Sequence, residues 1–253
     1  MSTLFVRKVA VLGAGVMGAQ IAAHLANADI PVVLFDLAAP EGNPDGIVRK
    51  ALDGLKKLKP APFGAADRPG LIEPANYNDG LAKLAGCDLV IEAIAEKFEW
   101  KEDLYRKIAP HVKPGTLIAS NTSGLSINKL AEAMPAAHRP NFCGIHFFNP
   151  PRYMALVEII PCVTSDAAML DQLETWLTKR LGKGVIRALD TPNFVANRVG
   201  VAWLLMVAHH TERLGLAFDE VDALTGARIG LPKSATFRLL DVVGMDTMGH
   251  VIN

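Results

Sequence analysis

Two residues in successive predicted strands are suited to proton transfer. His146 begins the segment His146-Phe147-Phe148-Asn149-Pro150, and Glu158 lies in the apolar segment Leu156-Val157-Glu158-Ile159-Ile160. A histidine changes charge near neutral pH and serves well as a general acid or base. A carboxylate in an apolar strand is costly unless it is paired. These residue types point to acid–base catalysis, with a structural histidine and a structural pairing of Glu158 as the alternatives.

A second set of polar residues lies at strand and helix ends. Ser120-Asn121-Thr122-Ser123 follows a predicted strand, and Asn197 opens a predicted helix. Ligands of doubly wound sheets bind at the carboxyl ends of the strands. This position marks Ser120 to Ser123 as candidate ligand contacts, and the bland alternatives are a turn former for Ser123 and a helix cap for Asn197.

The N-terminal region carries a G-x-G-x-x-G sequence between a predicted strand and a predicted helix. Gly13 allows a tight turn, Gly15 lets the backbone approach a pyrophosphate, and Gly18 lets the helix pack on the strand. The free N–H groups at the helix start face the phosphates. The predicted cofactor contacts are Gly13, Gly15, Val16, Met17, Gly18 and Asp36.

Asp36 ends the second predicted strand, where a carboxylate accepts hydrogen bonds from the adenosine ribose. A 2′-phosphate there would meet a like charge, and Leu37 supplies no compensating arginine. The sequence therefore predicts NAD rather than NADP.

Composition excludes several classes of protein. The 253 residues carry 26 basic and 26 acidic side chains, which argues against a nucleic-acid-binding protein. Three widely spaced cysteines show no metal-ligand spacing and favour a reducing compartment, and no metal site is predicted. We expect no membrane insertion, because the longest apolar run, 199–208, is too short to span a bilayer. Glycines and His24 interrupt the N-terminal apolar stretch, which we therefore do not interpret as a secretory signal.

The pattern of elements predicts an α/β protein, a Rossmann-type doubly wound parallel sheet followed by an incomplete all-helical domain. Pro-rich residues 59–76 are predicted to be an irregular surface loop. A basic helix over 47–58 precedes them. The predicted domains are an NAD-binding domain over 1–190 and a truncated helical C-terminal domain over 191–253, for dimerisation and substrate binding. The predicted strands are 8–12, 31–35, 88–91, 116–119, 141–148, 156–160 and 185–188.

Six motifs together resemble those of the 3-hydroxyacyl-CoA dehydrogenases, and the resemblance covers essentially the whole chain. The motifs are the glycine fingerprint, Glu92-Ala93-Ile94 after Asp88-Leu89-Val90-Ile91, Ser120-Asn121-Thr122-Ser123, Gly144 to Pro151, Leu156 to Ile160, and Thr191 to Arg198. The resemblance implies oxidation of L-3-hydroxyacyl-CoA in fatty-acid β-oxidation, with NAD as cofactor.

The resemblance also implies residue roles. His146 would take the proton of the substrate 3-hydroxyl, and Glu158 would fix and support its imidazole. Ser123 and Asn197 would bind the substrate hydroxyl and its neighbours. The implied contacts on the nicotinamide side are Asn149, Glu92 and Lys97. For coenzyme A, Lys57 is the best match to a lysine that contacts the coenzyme in the family.

The basic helix fits that coenzyme A role, because its cations could meet phosphates. An ordinary solvated face is the alternative. Its cations are Arg49, Lys50, Lys56, Lys57 and Lys59, against the single acid Asp53.

The C-terminal region resembles the middle of the family's helical domain at Phe237 to Asp241 and Gly244 to Thr247. We therefore expect a truncated chain. Residues 230–236 resemble bacterial fusion proteins that also carry an enoyl-CoA hydratase, which implies the bacterial cytoplasm. The apolar helical region predicts a homodimer or further domains of a larger polypeptide as partners.

Two other functions remain as alternatives. The first is a dehydrogenase of a free 3-hydroxy acid. Because such enzymes typically use a lysine base, the presence of His146 and Glu158 argues against this function. A non-enzymatic NAD-binding protein, such as a lens crystallin related to this family, would not need Ser123, His146, Glu158 and Asn197.

Overall fold

The computed structural model describes residues 6–244. The strands are β1 Val9–Leu12, β2 Val32–Asp36, β3 Ile72–Asn76, β4 Leu89–Glu92, β5 Leu117–Ser120, β6 Phe142–Phe147, β7 Leu156–Pro161 and β8 Gly184–Arg187. The helices are α1 Val16–Asn27, α2 Gly46–Leu55, α3 Phe98–Ile108, α4 Ile127–Ala133, α5 Ala167–Leu181, α6 Ala196–Leu214, α7 Phe218–Thr225 and α8 Phe237–Val243.

The eight strands form one sheet in the order β3-β2-β1-β4-β5-β6-β7-β8. The first six are mutually parallel, in the order of a doubly wound dinucleotide-binding sheet. β7 runs antiparallel to β6, and β8 pairs parallel to β7. The predicted fold class is therefore confirmed, with two added strands at one edge that reverse direction.

The central strands and α1 are buried because their sequences are apolar on every side. β1 has no exposed residue, as expected for a strand covered on both faces. α1 packs closely against the sheet through small side chains, since Ala19, Ala22, Ala23 and Ala26 are all nearly inaccessible. This close packing places the first turn of α1, and thus the glycine turn, at the carboxyl edge of β1.

Two predicted boundaries are wrong. Residues 72–76, assigned to an irregular loop, form the edge strand β3, where Pro74 is tolerated because an edge strand has one unpaired side. The basic helix ends at Leu55 rather than at Leu58. Lys57 therefore lies in the turn after α2.

The chain divides into two compact units between Thr191 and Pro192. The second unit contains α6, α7 and α8. Along α6 only Thr211 is buried, whereas Leu205 and Met206 are about half exposed. The family-like segment Gly244 to Thr247 extends beyond the described residues after Gly244. None of the described helices is both long and apolar enough to cross a bilayer.

A buried histidine on α1 makes the stability of the first unit pH-dependent. Burial, followed by the charges of Lys183 and Arg152, lowers the pKa of His24 to about 4. The unfolded chain protonates this histidine near pH 6.5, so the folded form loses stability as the pH falls from about 6.5 to about 4. We expect a loss on the order of 3 kcal/mol from this group over that interval.

Urea unfolding of the wild type and of His24→Gln at pH 7 and pH 5 tests this expectation. The variant should lose less stability on acidification than the wild type. His111→Gln, which replaces an exposed histidine, is the matched control and should behave like the wild type. Parallel losses in the wild type and His24→Gln would contradict the assignment.

Candidate active site

The glycine turn after β1 has a conformation that larger residues could not adopt. Gly13 has φ +102°, and a Cβ added there would lie 2.7 Å from the carbonyl oxygen of Ala93. A Cβ on Gly18 would lie 1.9 Å from the carbonyl oxygen of Gly13. A Cβ on Gly15 would meet nothing within 4 Å. The turn is therefore packed against protein at Gly13 and Gly18 and open to a ligand at Gly15.

Two cavities meet at this turn, because Gly15 lines both. The first has a volume of about 550 Å³ and extends past Asp36 and Trp100. The second has a volume of about 490 Å³ and extends from Val16 to Asn149 and the end of α2. A ligand that bound across the turn could occupy both sides of it, as a dinucleotide does.

Asp36 lies at the end of β2 and faces the first cavity. Its two carboxylate oxygens accept hydrogen bonds from the backbone N–H groups of Ala14, at 2.6 Å, and Leu37, at 2.7 Å. These bonds fix the carboxylate beside the turn, and each oxygen keeps acceptor capacity for a ribose hydroxyl. The open Gly15, the helix start and the fixed carboxylate fit NAD.

His146 and Glu158 face each other across the antiparallel pair β6 and β7. They are directly opposed in the strand register, and His146 Nδ1 lies 2.7 Å from Glu158 Oε2. His146 is 4% exposed and Glu158 is fully buried. The ring of Phe148 lies 4.5 Å from the imidazole, centre to centre. The apolar surroundings and the short contact fix the orientation of the imidazole.

Glu96 organises the loop that carries Ser123. One of its carboxylate oxygens accepts hydrogen bonds from the Thr122 hydroxyl and from the backbone N–H groups of Ser123, at 2.8 Å, and Gly124, at 3.2 Å. Burial alone would raise the pKa of Glu96, but the Lys101 charge and these donors lower it below its usual value. Glu96 is therefore held as an anion, and Ser123 remains exposed at the carboxyl end of β5.

Glu92 is the last residue of β4 and lies in the interior of the protein. Its side chain is fully buried, and its carboxylate accepts hydrogen bonds from Lys101 Nζ at 2.6 Å, Ser120 Oγ at 2.6 Å, Tyr105 Oη at 3.0 Å and the Ile94 N–H at 2.8 Å. Glu92 therefore lies inside the fold, held by the ammonium of Lys101, and lines neither of the two cavities, while its contact on the nicotinamide side stays a prediction.

The remaining predicted residues lie at separate places. Asn149 is exposed, and its Oδ1 accepts a hydrogen bond of 3.1 Å from Gln20 Nε2 of α1. Lys97 directly precedes α3, and its ammonium lies 4.3 Å from the centre of the Trp100 ring in the first turn of that helix. Lys57 is exposed after α2, and Asn197 lies in the first turn of α6 in the second unit.

Four residues that the sequence analysis did not single out support this site: Gln20, Glu96, Lys101 and Asn121. Asn121 Oδ1 accepts the Phe147 N–H at 2.9 Å and so ties the ends of β5 and β6 together. Lys101 had a recognisable signal, because it occupies the apolar stripe of α3 with Leu104, Tyr105 and Ile108. A lysine within such a stripe needs a buried acid as partner.

Strand order, glycine turn and Asp36 together define a dinucleotide-binding α/β protein. Residues 8–191 match the family described as 3-hydroxyacyl-CoA dehydrogenase, NAD binding domain, and residues 194–253 match its C-terminal domain. The chain therefore belongs to the 3-hydroxyacyl-CoA dehydrogenase family, which consists of NAD-binding oxidoreductases.

The names of individual relatives support the assignment to this family. A probable 3-hydroxyacyl-CoA dehydrogenase of Deinococcus radiodurans is 44% identical, over 97% of this chain and 71% of the relative. One of Bacillus subtilis is 43% identical over 97% of this chain, which spans only 33% of that relative. The crystal structure of (S)-3-hydroxybutyryl-CoA dehydrogenase from Ralstonia eutropha has a TM-score of 0.81 and 31% identity, covering 98% of this chain and 86% of that one.

Proposed function

We propose that this protein oxidises L-3-hydroxyacyl-CoA to 3-ketoacyl-CoA with NAD, as a step of fatty-acid β-oxidation. The observation that carries the proposal is the buried hydrogen bond between His146 and Glu158. His146 lies near the carboxyl end of β6, and the glycine turn lies at the carboxyl end of the parallel strand β1. Family membership supports the reaction class, and the residue types at the site support the substrate's chemistry.

His146 is the base of this reaction. Its Nδ1 faces Glu158 at 2.7 Å, so Nε2 is the nitrogen that accepts the proton of the substrate 3-hydroxyl. Glu158 holds the Nδ1–H tautomer and stabilises the imidazolium that forms. Bound NAD supplies the acceptor for the hydride that leaves C3 of the substrate. Loss of one proton and one hydride converts the alcohol to the ketone.

We assign substrate orientation to Ser123 and Asn197, and contact on the nicotinamide side to Asn149. Ser123 is exposed on the loop that Glu96 organises, and its hydroxyl donates to the reacting oxygen. Gln20 Nε2 donates to Asn149 Oδ1 at 3.1 Å, which fixes the orientation of the Asn149 amide.

The part of the 490 Å³ cavity that borders α2, away from the glycine turn, suits the pantetheine arm of coenzyme A. Its lining is largely apolar and includes Ala51, Leu55 and Leu58, while Lys59 lies at one end. Lys57 and its neighbours in the turn after α2 supply cations for the coenzyme phosphates.

We assign NAD binding to residues 1–190, and dimerisation and substrate binding to residues 191–253. The exposed apolar side chains of α6 suit a second copy of the chain or further domains. Cys87, Cys143 and Cys162 are buried free thiols, which supports a reducing compartment such as the bacterial cytoplasm.

An absorbance assay of NADH formation with 3-hydroxybutyryl-CoA and a longer homologue, in the full-length protein, tests this function. We expect turnover with the L-thioesters and none with the free 3-hydroxy acids. Turnover of the free acids, or NAD binding without turnover of any thioester, would support one of the two alternative functions instead.

The same assay tests the cofactor preference. We expect a KM for NAD at least tenfold below that for NADP, because the fixed Asp36 carboxylate repels a 2′-phosphate. Asp36→Ala should narrow the gap, because it removes both the acceptor for the ribose hydroxyls of NAD and the charge that repels the 2′-phosphate of NADP. Calorimetric titration that gave equal affinities for the two cofactors in the wild type would rule out this role of Asp36.

A further inference from the structure

The segment Lys59–Gly64, here called the rim segment, borders the 490 Å³ cavity through Lys59 and Pro60. It contains no regular helix or strand, yet hydrogen bonds fix its backbone from two sides. Asn27 of α1 donates from Nδ2 to the Pro62 carbonyl at 2.8 Å and accepts the Gly64 N–H at Oδ1, also at 2.8 Å.

The second side of the rim segment is held by the turn after β6. Arg152 Nη1 donates to the carbonyls of Ala61 and Phe63, both at 2.7 Å. The Tyr153 hydroxyl donates to the same Ala61 carbonyl at 3.0 Å. A single guanidinium nitrogen thus binds two carbonyls of the rim segment, and charge-assisted bonds of this kind are stronger than neutral ones.

The turn that carries Arg152 is itself held by the buried side chain of Lys183. Lys183 is 4% exposed, and its ammonium donates to the carbonyls of Pro151 and Met154, the latter at 2.8 Å. Burial lowers the pKa of Lys183 to about 8. Because Asn149 and Pro150 begin this turn and also line the cavity, the anchored turn connects the nicotinamide side with the rim segment.

We propose that Arg152 and Asn27 are positioning residues that clamp the rim segment over the substrate cavity and set the affinity for the coenzyme A part of the substrate. This inference rests on the proposed function. The clamp fixes residues 61–64, which directly follow the cavity-lining Lys59 and Pro60, so this wall of the cavity is preformed before the thioester binds. A preformed wall lowers the cost of binding, because the rim segment does not have to be ordered by the substrate.

We expect the clamp to affect binding of the coenzyme arm and to leave the proton and hydride transfer unchanged. Arg152 holds backbone carbonyls that lie beyond the cavity wall, and His146 and Glu158 do not take part in these bonds. Arg152→Gln removes two charge-assisted bonds to the rim segment, and Asn27→Ala removes two neutral ones. We expect each variant to raise the KM for 3-hydroxybutyryl-CoA about tenfold, since a net loss of about 1.4 kcal/mol in binding corresponds to that factor. The kcat and the KM for NAD should stay within about twofold of wild type.

Steady-state kinetics of the full-length protein with two thioesters provide the test. The N-acetylcysteamine thioester of 3-hydroxybutyrate has the same reacting carbons but lacks most of the coenzyme arm, so its KM should change less than twofold in both variants. Arg187→Gln is the matched control, because Arg187 is a partly exposed arginine that pairs with Asp171 and Glu174. It should leave both thioesters unaffected. Equal increases in KM for both thioesters, or no increase for either, would overturn the proposal.

Chymotrypsin digestion tests the clamp without any substrate and so separates it from the proposed function. Cleavage after the partly buried Phe63 should be slow in the wild type and in Arg187→Gln and faster in Arg152→Gln. Resistance of Arg152→Gln equal to that of the wild type would refute the clamp, even if the wild type proved fully active. Absence of thioester turnover in the wild type would refute the proposed function instead.

Discussion

Replacement of His146 by glutamine is expected to lower turnover by roughly two to four orders of magnitude, the usual contribution of a general base. Glutamine retains a hydrogen-bonding side chain of similar length but cannot accept the proton of the substrate hydroxyl. NAD binding should stay near that of the wild type, because no atom of His146 lies in the glycine turn or beside Asp36. Single-turnover NADH formation and calorimetric NAD titration measure the two effects separately.

Glu158→Gln tests the second member of the pair. Its carboxylate faces His146 Nδ1 at 2.7 Å in a buried environment, so the neutral amide removes support for the imidazolium. Turnover should fall, because the amide neither fixes the Nδ1–H tautomer of His146 nor offsets the charge of the imidazolium that forms. Full activity in either variant would exclude the proton-transfer assignment.

The His146 and Glu158 pair illustrates what the sequence alone could establish. Both residues were identifiable by type and by their place near strand ends, but their pairing came only from the family resemblance. The structure explains the pairing through antiparallel register: the turn at 150–154 reverses the chain and brings Glu158 opposite His146. That register depends on turn geometry, for which this proline-containing sequence offers no simple two-residue signal.

The sheet could be predicted largely from its buried strands, since apolar β-branched runs mark them clearly. β3 was missed because Pro74 and Glu73 interrupt its apolar pattern. Its assignment depends on tertiary pairing with β2, which supplies hydrogen bonds on one side only. An edge strand of this kind has a weaker sequence pattern than a central one, because only part of its surface must be apolar.

The Ser123 loop was identified as a candidate ligand site from its residue types, but the hydrogen bonds from this loop to Glu96 were not predicted. Glu92 and Glu96 lie in one segment as ordinary strand-end acids, and the sequence gives no direct sign that one is buried and the other caps a loop. Their difference follows from Lys101, whose Nζ lies 2.6 Å from Glu92 and 3.3 Å from Glu96. One buried cation thus couples the interior of the sheet to the loop at the site.

This coupling predicts a large loss of stability on replacement of Lys101. Lys101→Met keeps the length of the side chain but leaves the fully buried Glu92 carboxylate without its cation. Breaking a buried pair from one side costs about 3–5 kcal/mol, because the remaining charge is uncompensated. The double variant Lys101→Met with Glu92→Gln removes both charges and should recover much of that loss, whereas Arg106→Met, which breaks the exposed pair with Glu102, should cost only about 0.5 kcal/mol or less.

Urea unfolding of the four proteins decides whether Glu92 is held in the interior by its partner. The single Lys101 variant should be the least stable of the set and should also bind the substrate thioester more weakly, because Glu96 loses the same cation and the Ser123 loop loses its anchor. If the double variant were as unstable as the single one, packing of the lysine stem rather than charge would explain the loss. In the expected case, the ion pair that stabilises the sheet also positions Ser123, the residue that we propose contacts the substrate, and this would explain why a lysine occupies the apolar stripe of α3.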